Sequence, residues 1–498
     1  MLKRVLVANR GEIAVRILRT CRRLGIETVL AASDADLDSV PARLADRTIR
    51  IGPATSAASY LNVDAIIGAA VASGADAIHP GYGFLSENRR LAAACEAAGI
   101  VFIGPTVAQL EAVGDKLTAR HHAVTAGLPV VPGGEVSDIE SAQGLAAEIG
   151  WPVLIKAVGG GGGRGMKPVH EPARFAATME LAMAEAQAAF GDPRVYLERY
   201  VSAGRHVEVQ VLGDGERVIH LGTRDCSIQR RYQKLIEEAP APCLSDSLRS
   251  EMHAQAVAFA RHLHYRGLGT VELLVDCERD TFYFLEMNAR IQVEHPVTEA
   301  ICGLDLVAEQ IAVAEGRPLR LRQADVKISG HAIECRLNAE DWERDFQPSP
   351  GTVTSAVFPA GPGIRVDTHI EAGSRVPPYY DSLLAKLIVW GESRGEAIMR
   401  MRRALEEFRI TGVMTTVPLH IQLMNSTRFQ AGQFDTKFLE NSFTFNQTPN
   451  DHHVCVAAIA ATLMAHQRNQ QAILLHQGGY SPWRLYGRRD ALNRRIIG

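Results

Sequence analysis

The chain has 498 residues, and its 53 Lys and Arg against 56 Asp and Glu give a formal net charge of -3 at pH 7. Hydrophobic residues make up 46% and charged residues 22%, as in ordinary globular proteins, which excludes collagen-like, disordered and membrane-embedded classes. The length allows about three domains, and the near-neutral charge favours neither nucleic acid nor a membrane surface as a partner.

The cysteines and the N-terminus predict the cellular compartment. The 8 cysteines are scattered, with no CxxC pair and no zinc-ligand spacing, so reduced thiols are expected. The first apolar run, Val5–Ala8, enters a helical pattern at once and is too short for a secretory signal or a membrane-spanning helix. The sequence therefore predicts a cytoplasmic protein.

The N-terminal part alternates short apolar strands with helical patterns. The predicted strands are Val5–Ala8, Thr28–Ala32, Ala75–Ile78 and Val101–Ile103, and the predicted helices are Gly11–Leu24 and Val63–Ser73. This alternation predicts a parallel α/β sheet. Asn9–Glu12 stands where a dinucleotide-binding fold has Gly-x-Gly-x-x-Gly, so the pattern is Rossmann-like but does not favour dinucleotide binding.

A glycine run follows the next strand. The Pro- and Gly-rich segment Leu128–Gly134 precedes a compact stretch, Val136–Tyr200, which we interpret as a mobile subdomain. Within it, Lys156 ends an apolar strand and Gly159–Gly163 follow. Glycines let backbone amides approach an anion and the lysine adds positive charge, so this pattern predicts a phosphate-binding lid. The Gly-Lys-Ser/Thr ending of a Walker loop is absent, and a flexible linker is the alternative.

A hairpin with acidic residues comes next. Alternating patterns over Val207–Leu212 and Thr270–Met287 predict antiparallel strands. A turn near residue 279 would place Glu272 opposite Glu286, with Asn288 on the same face. Two carboxylates and an amide oxygen suit Mg²⁺ or Mn²⁺. The alternative is a solvated polar face of the hairpin.

The residues after this hairpin predict an anion clamp. If the segment is extended, Arg290, Gln292 and Glu294 share one face. Such a set could hold a small planar oxyanion such as bicarbonate while Glu294 removes its proton. A structural salt bridge between Arg290 and Glu294 is the alternative.

Further candidates are spread along the chain, and each one by itself is more commonly a surface or ion-pair residue. They are Lys116, His206, Glu208, Gln210, the cluster Gln229–Lys234, and Arg336. A third segment, about Lys327–Phe438, has Pro-rich turns and a helical pattern at 396–408. After Glu440 a linker-like stretch, a helix of small residues and a basic stretch follow.

Taken together, these motifs resemble those of the biotin carboxylase family within the ATP-grasp superfamily, over about residues 3–445. The motifs are HPGYGFLSEN, KAVGGGGGRGM, RDCSIQRRYQK, EMNARIQVEHPVTE and GHAIECRLNAED, in that order. The resemblance implies an α/β protein with a Rossmann-like N-terminal lobe over 1–115, an ATP-grasp lobe over 116–325 with a mobile lid at about 131–203, and a C-terminal biotin carboxylase lobe over 326–445. An extension over 446–498 would follow.

The resemblance also implies a reaction and roles for individual residues. ATP, bicarbonate and biotin would give ADP, phosphate and N1-carboxybiotin. The residues implied in nucleotide binding are Lys116, Lys156, Gly161, Gly162, Gly163, Met166, Glu198, Arg199, Val201, His206, Gln229, Tyr232 and Lys234. Metal would be bound by Glu272, Glu286 and Asn288, and substrates by Tyr82, Arg290, Gln292, Val293, Glu294 and Arg336. The implied catalytic residues are Lys234, Arg290, Glu294 as general base, and Arg336, which would stabilise the biotin enolate.

The resemblance also implies partner proteins, and two residues of this chain differ from the family pattern. No AMKM-like biotin acceptor occurs, so biotin is expected on a separate biotin carboxyl carrier protein. The other expected partner is a carboxyltransferase subunit, which would use acetyl-CoA, propionyl-CoA or another acceptor. A homodimer is expected. Tyr232 stands where many members have His or Asn, and Arg199 where many have Lys. Two alternative hypotheses remain open. The chain could be another ATP-grasp ligase, one that joins a carboxylate to an amine, or it could be a catalytically silent assembly subunit.

Overall fold

The structure, a computed structural model, describes residues 1–136, 138–157, 166–190, 193–441, 443, 451–476, 481–483 and 486–487. It divides into two units, Met1–Phe443 and Thr444–Gly498. The predicted phosphate-binding residues Gly161, Gly162 and Gly163 and the linker-like stretch at 444–450 lie outside the described residues. Within the described ranges, no helix is both long and apolar enough to cross a membrane. All 8 cysteines are free thiols.

The N-terminal part forms a five-stranded parallel sheet with helices, in the order β3-β2-β1-β4-β5. Its elements are β1 Arg4–Val7, α1 Gly11–Arg23, β2 Glu27–Ser33, α2 Val40–Leu44, β3 Arg47–Gly52, α3 Val63–Ser73, β4 Ala77–His79, α4 Arg89–Ala97 and β5 Val101–Phe102. The predicted parallel sheet is confirmed. The edge strand β3 was not predicted, because its sequence RTIRIG has few consecutive apolar residues.

The segment predicted to form a lid, about 131–203, is a small layer with its own core. Two helices come first, α5 Val107–Gly114 and α6 Lys116–Thr125. The lid elements are β6 Gly133–Val136, α7 Ile139–Ile149, β7 Val153–Ala157, β8 Met166–Val169, α8 Phe175–Phe190 and β9 Val195–Arg199. The strands form an antiparallel sheet in the order β6-β9-β7-β8. Val153, Ile155, Leu197 and Phe175 pack in a hydrophobic cluster of the lid's own residues.

An eight-stranded antiparallel sheet forms the centre of the first unit, and we call it the central sheet. Its order is β14-β13-β10-β11-β12-β15-β22-β20. Its elements and their neighbours are β10 Gly204–Asp214, β11 Val218–Arg230, β12 Gln233–Ala239, α9 Asp246–His262, β13 Arg266–Asp276, β14 Thr281–Asn288, α10 His295–Cys302, α11 Leu306–Ala314 and β15 His331–Asn338. Because β12 pairs with β15, residues about 100 positions apart become neighbours.

The remaining C-terminal elements include the last two strands of the central sheet. They are β16 Glu340–Asp341, β17 Gln347–Pro348, β18 Gly351–Thr352, β19 Ser355–Val357, β20 Ile364–Thr368, β21 Arg375–Val376, β22 Leu383–Gly391, α12 Arg394–Glu407, β23 Arg409–Thr411, α13 Val417–Asn425, α14 Thr427–Gln430 and α15 Phe438–Asn441. The predicted helix at 396–408 corresponds to α12. In the second unit, α16 Asp451–His476 contains the predicted small-residue helix.

The β13–β14 hairpin confirms the predicted opposition of Glu272 and Glu286, for a reason that the prediction did not contain. The pairs Asp276↔Thr281 and Leu273↔Phe284 are one residue out of step with Glu272↔Glu286. Leu285 is therefore an extra residue, and the register shift is a β-bulge. Without this bulge Glu286 would not lie opposite Glu272.

Candidate active site

A cleft of about 1780 Å³ is lined by lid residues on one side and by the central sheet on the other. Most of the residues singled out from the sequence line it: Tyr82, Lys116, Lys156, Glu198, Arg199, Val201, His206, Gln229, Tyr232, Lys234, Glu272, Glu286, Asn288, Arg290, Gln292, Val293, Glu294 and Arg336. Met166 pairs through its backbone with Lys156. The tertiary fold thus collects residues from distant segments into one cavity.

Lys234 lies at the centre of the sheet side of the cleft. Its Nζ is 2.7 Å from Glu294 Oε1, 3.0 Å from Glu272 Oε1 and 3.1 Å from Glu208 Oε2. Burial alone would lower the pKa of Lys234, but the three carboxylates raise it well above its ordinary value. Lys234 is therefore a fixed positive charge at neutral pH.

Glu294 joins two cations. Its Oε1 accepts a hydrogen bond from Lys234, and its Oε2 accepts one from Arg336 Nη2 at 2.9 Å. Burial by itself would raise the pKa of Glu294, but Lys234, Arg336 and Arg224 together lower it well below the ordinary range. Glu294 is consequently ionised, with both oxygens directed at positive groups of the cleft.

Arg336 is held from two sides. Besides Glu294, its guanidinium contacts Glu237, with Arg336 Nε 2.5 Å from Glu237 Oε1. Glu237 lies on β12 directly opposite Glu334 on β15. Burial, reinforced by the negative charge of Glu294 and only partly offset by Arg336, raises the pKa of Glu237 to about 7. Sequence reasoning did not select Glu237, because its role depends on the pairing of β12 with β15.

Arg224 is a second residue that the sequence analysis missed. It is completely buried and donates to Glu208 Oε1 at 2.7 Å, Gln210 Oε1 at 2.6 Å and Gln292 Oε1 at 2.9 Å. Glu208 and Arg224 lie opposite each other in the β10–β11 pairing. The alternation of His206, Glu208 and Gln210 was visible in the sequence. Polar side chains on one face of a strand indicate a polar or charged partner on the paired strand, and this signal could have led to Arg224.

The three predicted metal ligands lie together at the end of the hairpin. Glu272 Oε1 accepts hydrogen bonds from Lys234 and Gln292, and its Oε2 is 3.1 Å from His206 Nε2. Burial and the negative charge of Glu272 raise the pKa of Glu286. A cation beside this opposed pair would relieve the repulsion, and carboxylate and amide oxygens are hard ligands. The residues therefore fit Mg²⁺ or Mn²⁺.

The segment that carries the predicted anion clamp is not extended, so the condition under which Arg290, Gln292 and Glu294 would share one face is not met, while the clamp itself stays a prediction. No strand covers residues 289–294, and Glu294 is the N-cap residue of α10, with φ -80° and ψ 7°. The alternative Arg290–Glu294 salt bridge is not present either among the described contacts, since Arg290 Nε donates to Glu87 Oε2 at 2.8 Å and its Nη2 to Asn288 Oδ1 at 2.6 Å. A turn that leads into α10, and not an extended strand, brings residues 290–294 to the cleft.

The lid side of the cleft has fewer contacts. Lys156 forms an ion pair with Glu198. The Arg199 guanidinium donates to the Ile149 carbonyl oxygen at 2.7 and 2.9 Å, which occupies its side chain with the end of α7. The side chain of Lys116, the first residue of α6, forms no hydrogen bond or ion pair with the part of the chain that the structure describes, although its positive charge opposes the rise in the pKa of Glu286. Tyr232 lies in the β11–β12 turn with φ 66°, and its side chain is exposed.

Comparison with known families covers most of the chain. Residues 1–110 match the biotin carboxylase N-terminal domain, residues 115–322 the ATP-binding domain of the carbamoyl-phosphate synthase L chain, and residues 334–441 the biotin carboxylase C-terminal domain. Biotin carboxylase 1 of Bacillus subtilis is 50% identical over 443 residues, which are 88% of this chain and 98% of that protein.

Two further relatives show the range of proteins with this region. A pyruvate carboxylase subunit of Methanothermobacter thermautotrophicus is 50% identical over 88% of this chain and 90% of its own. The biotin carboxylase domain dimer of Hydrogenobacter thermophilus 2-oxoglutarate carboxylase, solved with MgADP, ADP and bicarbonate, is 47% identical with a TM-score of 0.81, over 88% of this chain and 97% of that chain. With its fold, its cleft and these likenesses in agreement, the chain belongs to the biotin carboxylase family.

Proposed function

We propose that this chain carboxylates biotin carried on a separate protein, as the first half-reaction of an acyl-CoA carboxylase. At the family level the chain is an ATP-dependent ligase that uses ATP, bicarbonate and biotin. The observation that carries the proposal is Glu294 between Lys234 and Arg336, at 2.7 and 2.9 Å, inside a cleft that continues to the lid. This arrangement places one carboxylate between two cations where an anionic substrate can bind.

The nucleotide end would work by charge neutralisation. Lys116 and Lys156 reach the cleft from α6 and β7, so they can contact phosphate oxygens. His206, Gln229 and Lys234 approach the same space from the central sheet, and Glu198, Arg199 and Val201 contribute the edge where adenine would bind. Mg²⁺ or Mn²⁺ held by Glu272, Glu286 and Asn288 would neutralise charge on the phosphates.

The bicarbonate end would position a nucleophile. Arg290, Gln292 and Val293 line the cleft next to Glu294, and Gln292 is itself fixed by hydrogen bonds to Arg224 and Glu272. Bicarbonate is a poor electrophile, so attack of its oxygen on the γ-phosphorus of ATP would give carboxyphosphate and ADP. In that step Glu294 would accept the bicarbonate proton.

The low pKa of Glu294 in the free enzyme bears on this role. Lys234 and Arg336 keep Glu294 ionised but also make it a weak base. An anion that binds beside these two cations would share their positive charge and raise the basicity of Glu294. We therefore propose that bicarbonate binding itself activates the general base.

Arg336 would act in the second step. The carboxyl group passes from carboxyphosphate to N1 of biotin as the C–O bond to phosphate breaks, and the departing phosphate takes the proton that the ureido nitrogen loses. The guanidinium of Arg336 would stabilise the negative charge on the ureido oxygen, and Tyr82 would line the biotin side. Glu237 holds the other side of that guanidinium, which keeps it directed across the cleft.

The lobe division and the lid belong to the same proposal. We propose lobes over 1–115, 116–325 and 326–445, with a lid at about 131–203. The lid has a hydrophobic cluster of its own residues, so it can move as a body without loss of its core. Closure over the cleft would exclude water, which otherwise hydrolyses the activated intermediate.

The separate carrier is proposed from the relatives of this chain. The region shared with the Bacillus subtilis biotin carboxylase covers nearly all of that protein. We propose a biotin carboxyl carrier protein and a carboxyltransferase as partners, and a homodimer as the assembly. Relatives include parts of pyruvate and 2-oxoglutarate carboxylases, so the acceptor also needs direct measurement.

The test is ATP hydrolysis by the purified chain with and without bicarbonate, free biotin and a biotinylated carrier domain. We expect bicarbonate-dependent turnover that biotin stimulates, with ¹⁴C from bicarbonate appearing on the carrier. Turnover that requires an amine instead would identify another carboxylate–amine ligase. Nucleotide binding without turnover under every condition would identify a catalytically silent assembly protein.

A further inference from the structure

Lys386 on β22 is a completely buried lysine that does not line the cleft. Its Nζ donates a hydrogen bond to the Val293 carbonyl oxygen at 2.8 Å. The same Nζ is 3.1 Å from Glu12 Oε1, and Glu12 is also buried. One ammonium group therefore connects the first turn of α1, the segment before α10 and the C-terminal part of the central sheet.

The contact with Val293 reaches the anion clamp directly. Val293 stands between Gln292 and Glu294, and the peptide group that joins Val293 to Glu294 is planar. Fixing the carbonyl oxygen of Val293 thus also fixes the direction of the Glu294 N–H and the position of the Glu294 Cα, from which the side chain extends. Because residues 289–294 are not part of a strand, no ladder of backbone hydrogen bonds holds this segment in place.

The contact with Glu12 extends the same connection to the biotin side. The Tyr82 hydroxyl, which belongs to a residue that lines the cleft, donates a hydrogen bond to Glu12 Oε1. Lys386 also lies opposite Arg336 in the β15–β22 pairing and opposite Asp367 in the β20–β22 pairing. Lys386 is thus adjacent to three cleft residues, Val293, Tyr82 and Arg336, without entering the cleft.

A buried ammonium group is costly unless it is paired and hydrogen-bonded. A well-packed apolar side chain would stabilise the fold at this position at least as well. Fold stability therefore does not explain why a lysine stands here. We infer that Lys386 is a positioning residue for the bicarbonate site, which holds the Val293 carbonyl so that Arg290, Gln292 and Glu294 converge. This inference rests on the proposed function, since it assigns the anion at that clamp as bicarbonate.

The test compares Lys386→Met, Glu12→Gln and the double variant Glu12→Gln/Lys386→Met. In Lys386→Met the KM for bicarbonate should rise at least about tenfold, as expected for loss of a hydrogen bond from a charged donor. The KM for ATP should stay within about twofold, because the lysine has no contact at the nucleotide end. Hydrogen exchange of the amides around Glu294 should increase in the same variant.

The double variant separates positioning from stability. Removing both charges should restore most of the unfolding midpoint that Lys386→Met loses, because the Glu12 carboxylate no longer stays buried without its ammonium partner. It should not restore the KM for bicarbonate, because the Val293 carbonyl still lacks its donor. Glu12→Gln alone keeps that donor and should change the KM for bicarbonate less than about threefold.

Arg394→Met is the matched control, since Arg394 forms a mostly buried ion pair with Glu238 and does not line the cleft. It should lower the unfolding midpoint and leave the KM for bicarbonate unchanged. Equal increases in both KM values in Lys386→Met, or full rescue by the double variant, would overturn the inference. Absence of bicarbonate-dependent turnover in the wild-type chain would instead refute the proposed function.

Discussion

The two ends of the cleft differ in how far their charges are neutralised. On the sheet side, Lys234 has three carboxylates within 3.1 Å and its side chain is 12% exposed. On the lid side, Lys156 has one carboxylate partner and is 31% exposed, and Lys116 has neither ion pair nor hydrogen bond among the described residues. A cation with several protein partners is held in place before the substrate arrives, whereas a cation with few partners is available to a ligand.

The difference has a mechanistic meaning. The proposed acid–base chemistry needs reacting groups in fixed positions, which the buried contacts of Glu294 and Arg336 supply. Nucleotide must enter and leave, so the cations at that end would pair with phosphate oxygens rather than with protein carboxylates. The following variants, ordered by expected effect, test this contrast.

The largest effect is expected for Glu294→Gln. Removing a general base lowers the rate by about 10²–10⁴-fold, so biotin carboxylation should be nearly abolished. Nucleotide affinity should change little, because Lys234 keeps Glu208 and Glu272 as ion-pair partners when Glu294 loses its charge. Arg336→Ala should behave in the same way. Steady-state carboxylation and nucleotide titration measure the two properties, and a parallel loss of both would contradict the assigned roles.

Glu237→Gln should change how stability depends on pH. The pKa of Glu237 is raised from 4.5 to about 7, so between these values the folded protein retains a proton that the unfolded chain has released. Stability from this group is therefore present at low pH and is lost as pH rises through the window, by up to about 3 kcal/mol.

Thermal unfolding of the wild type and of Glu237→Gln between about pH 5 and pH 8 checks this sign. The midpoint of the wild type should fall relative to that of the variant as pH rises. A constant difference would show that Glu237 does not retain an extra proton in the folded protein. Glu238→Gln, at the neighbouring position, is a contrasting variant, because burial is outweighed there by His331 and Arg394, which lower the pKa of Glu238 to about 2.

Lys116→Met and Lys156→Met test the open end of the cleft. Loss of a charged hydrogen bond to phosphate costs about 1.5–3 kcal/mol, so the KM for ATP should rise about 10–100-fold in each variant. The KM for bicarbonate should stay nearly constant. The opposite pattern, with bicarbonate affected more than ATP, would remove the contrast between the two ends.

The smallest effect is expected for Tyr232→His. The Tyr232 side chain is 57% exposed and forms no hydrogen bond with the described residues, so restoring the residue found in many family members should change the KM for ATP less than about twofold. A larger decrease in KM would show that this turn contacts phosphate when nucleotide is bound.

Much of the site was predictable because its motifs are local. Glu272, Glu286 and Asn288 lie on one hairpin that the alternation predicted, although the β-bulge at Leu285, which the sequence pattern did not reveal, places Glu286 opposite Glu272. Arg290, Gln292, Val293 and Glu294, which the resemblance implied in substrate binding, all line the cleft, although their segment is not extended as the pattern had suggested. Their approach depends on the start of α10, which alternation does not reveal.

Other contacts could not be predicted from local patterns. Arg224 faces Glu208 because β10 and β11 pair, and β11 is rich in polar residues that hide its strand character. Glu237 contacts Arg336, which is 99 residues away in the sequence. Lys386 contacts Glu12, which is 374 residues away. Pairing between such distant segments depends on the whole chain packing into one sheet order.

The amino-acid sequence by itself therefore determined the family, the parallel N-terminal sheet, the acidic hairpin and the residues that line the cleft. These features depend on residue type, short spacing and alternation, which act within a few positions of the chain. Only the tertiary structure decided which charges neutralise one another: Lys234 with three carboxylates, Arg336 with Glu237, and Lys386 with Glu12. The physical reason is that a buried charge is stabilised by whichever partners the fold brings within hydrogen-bond distance.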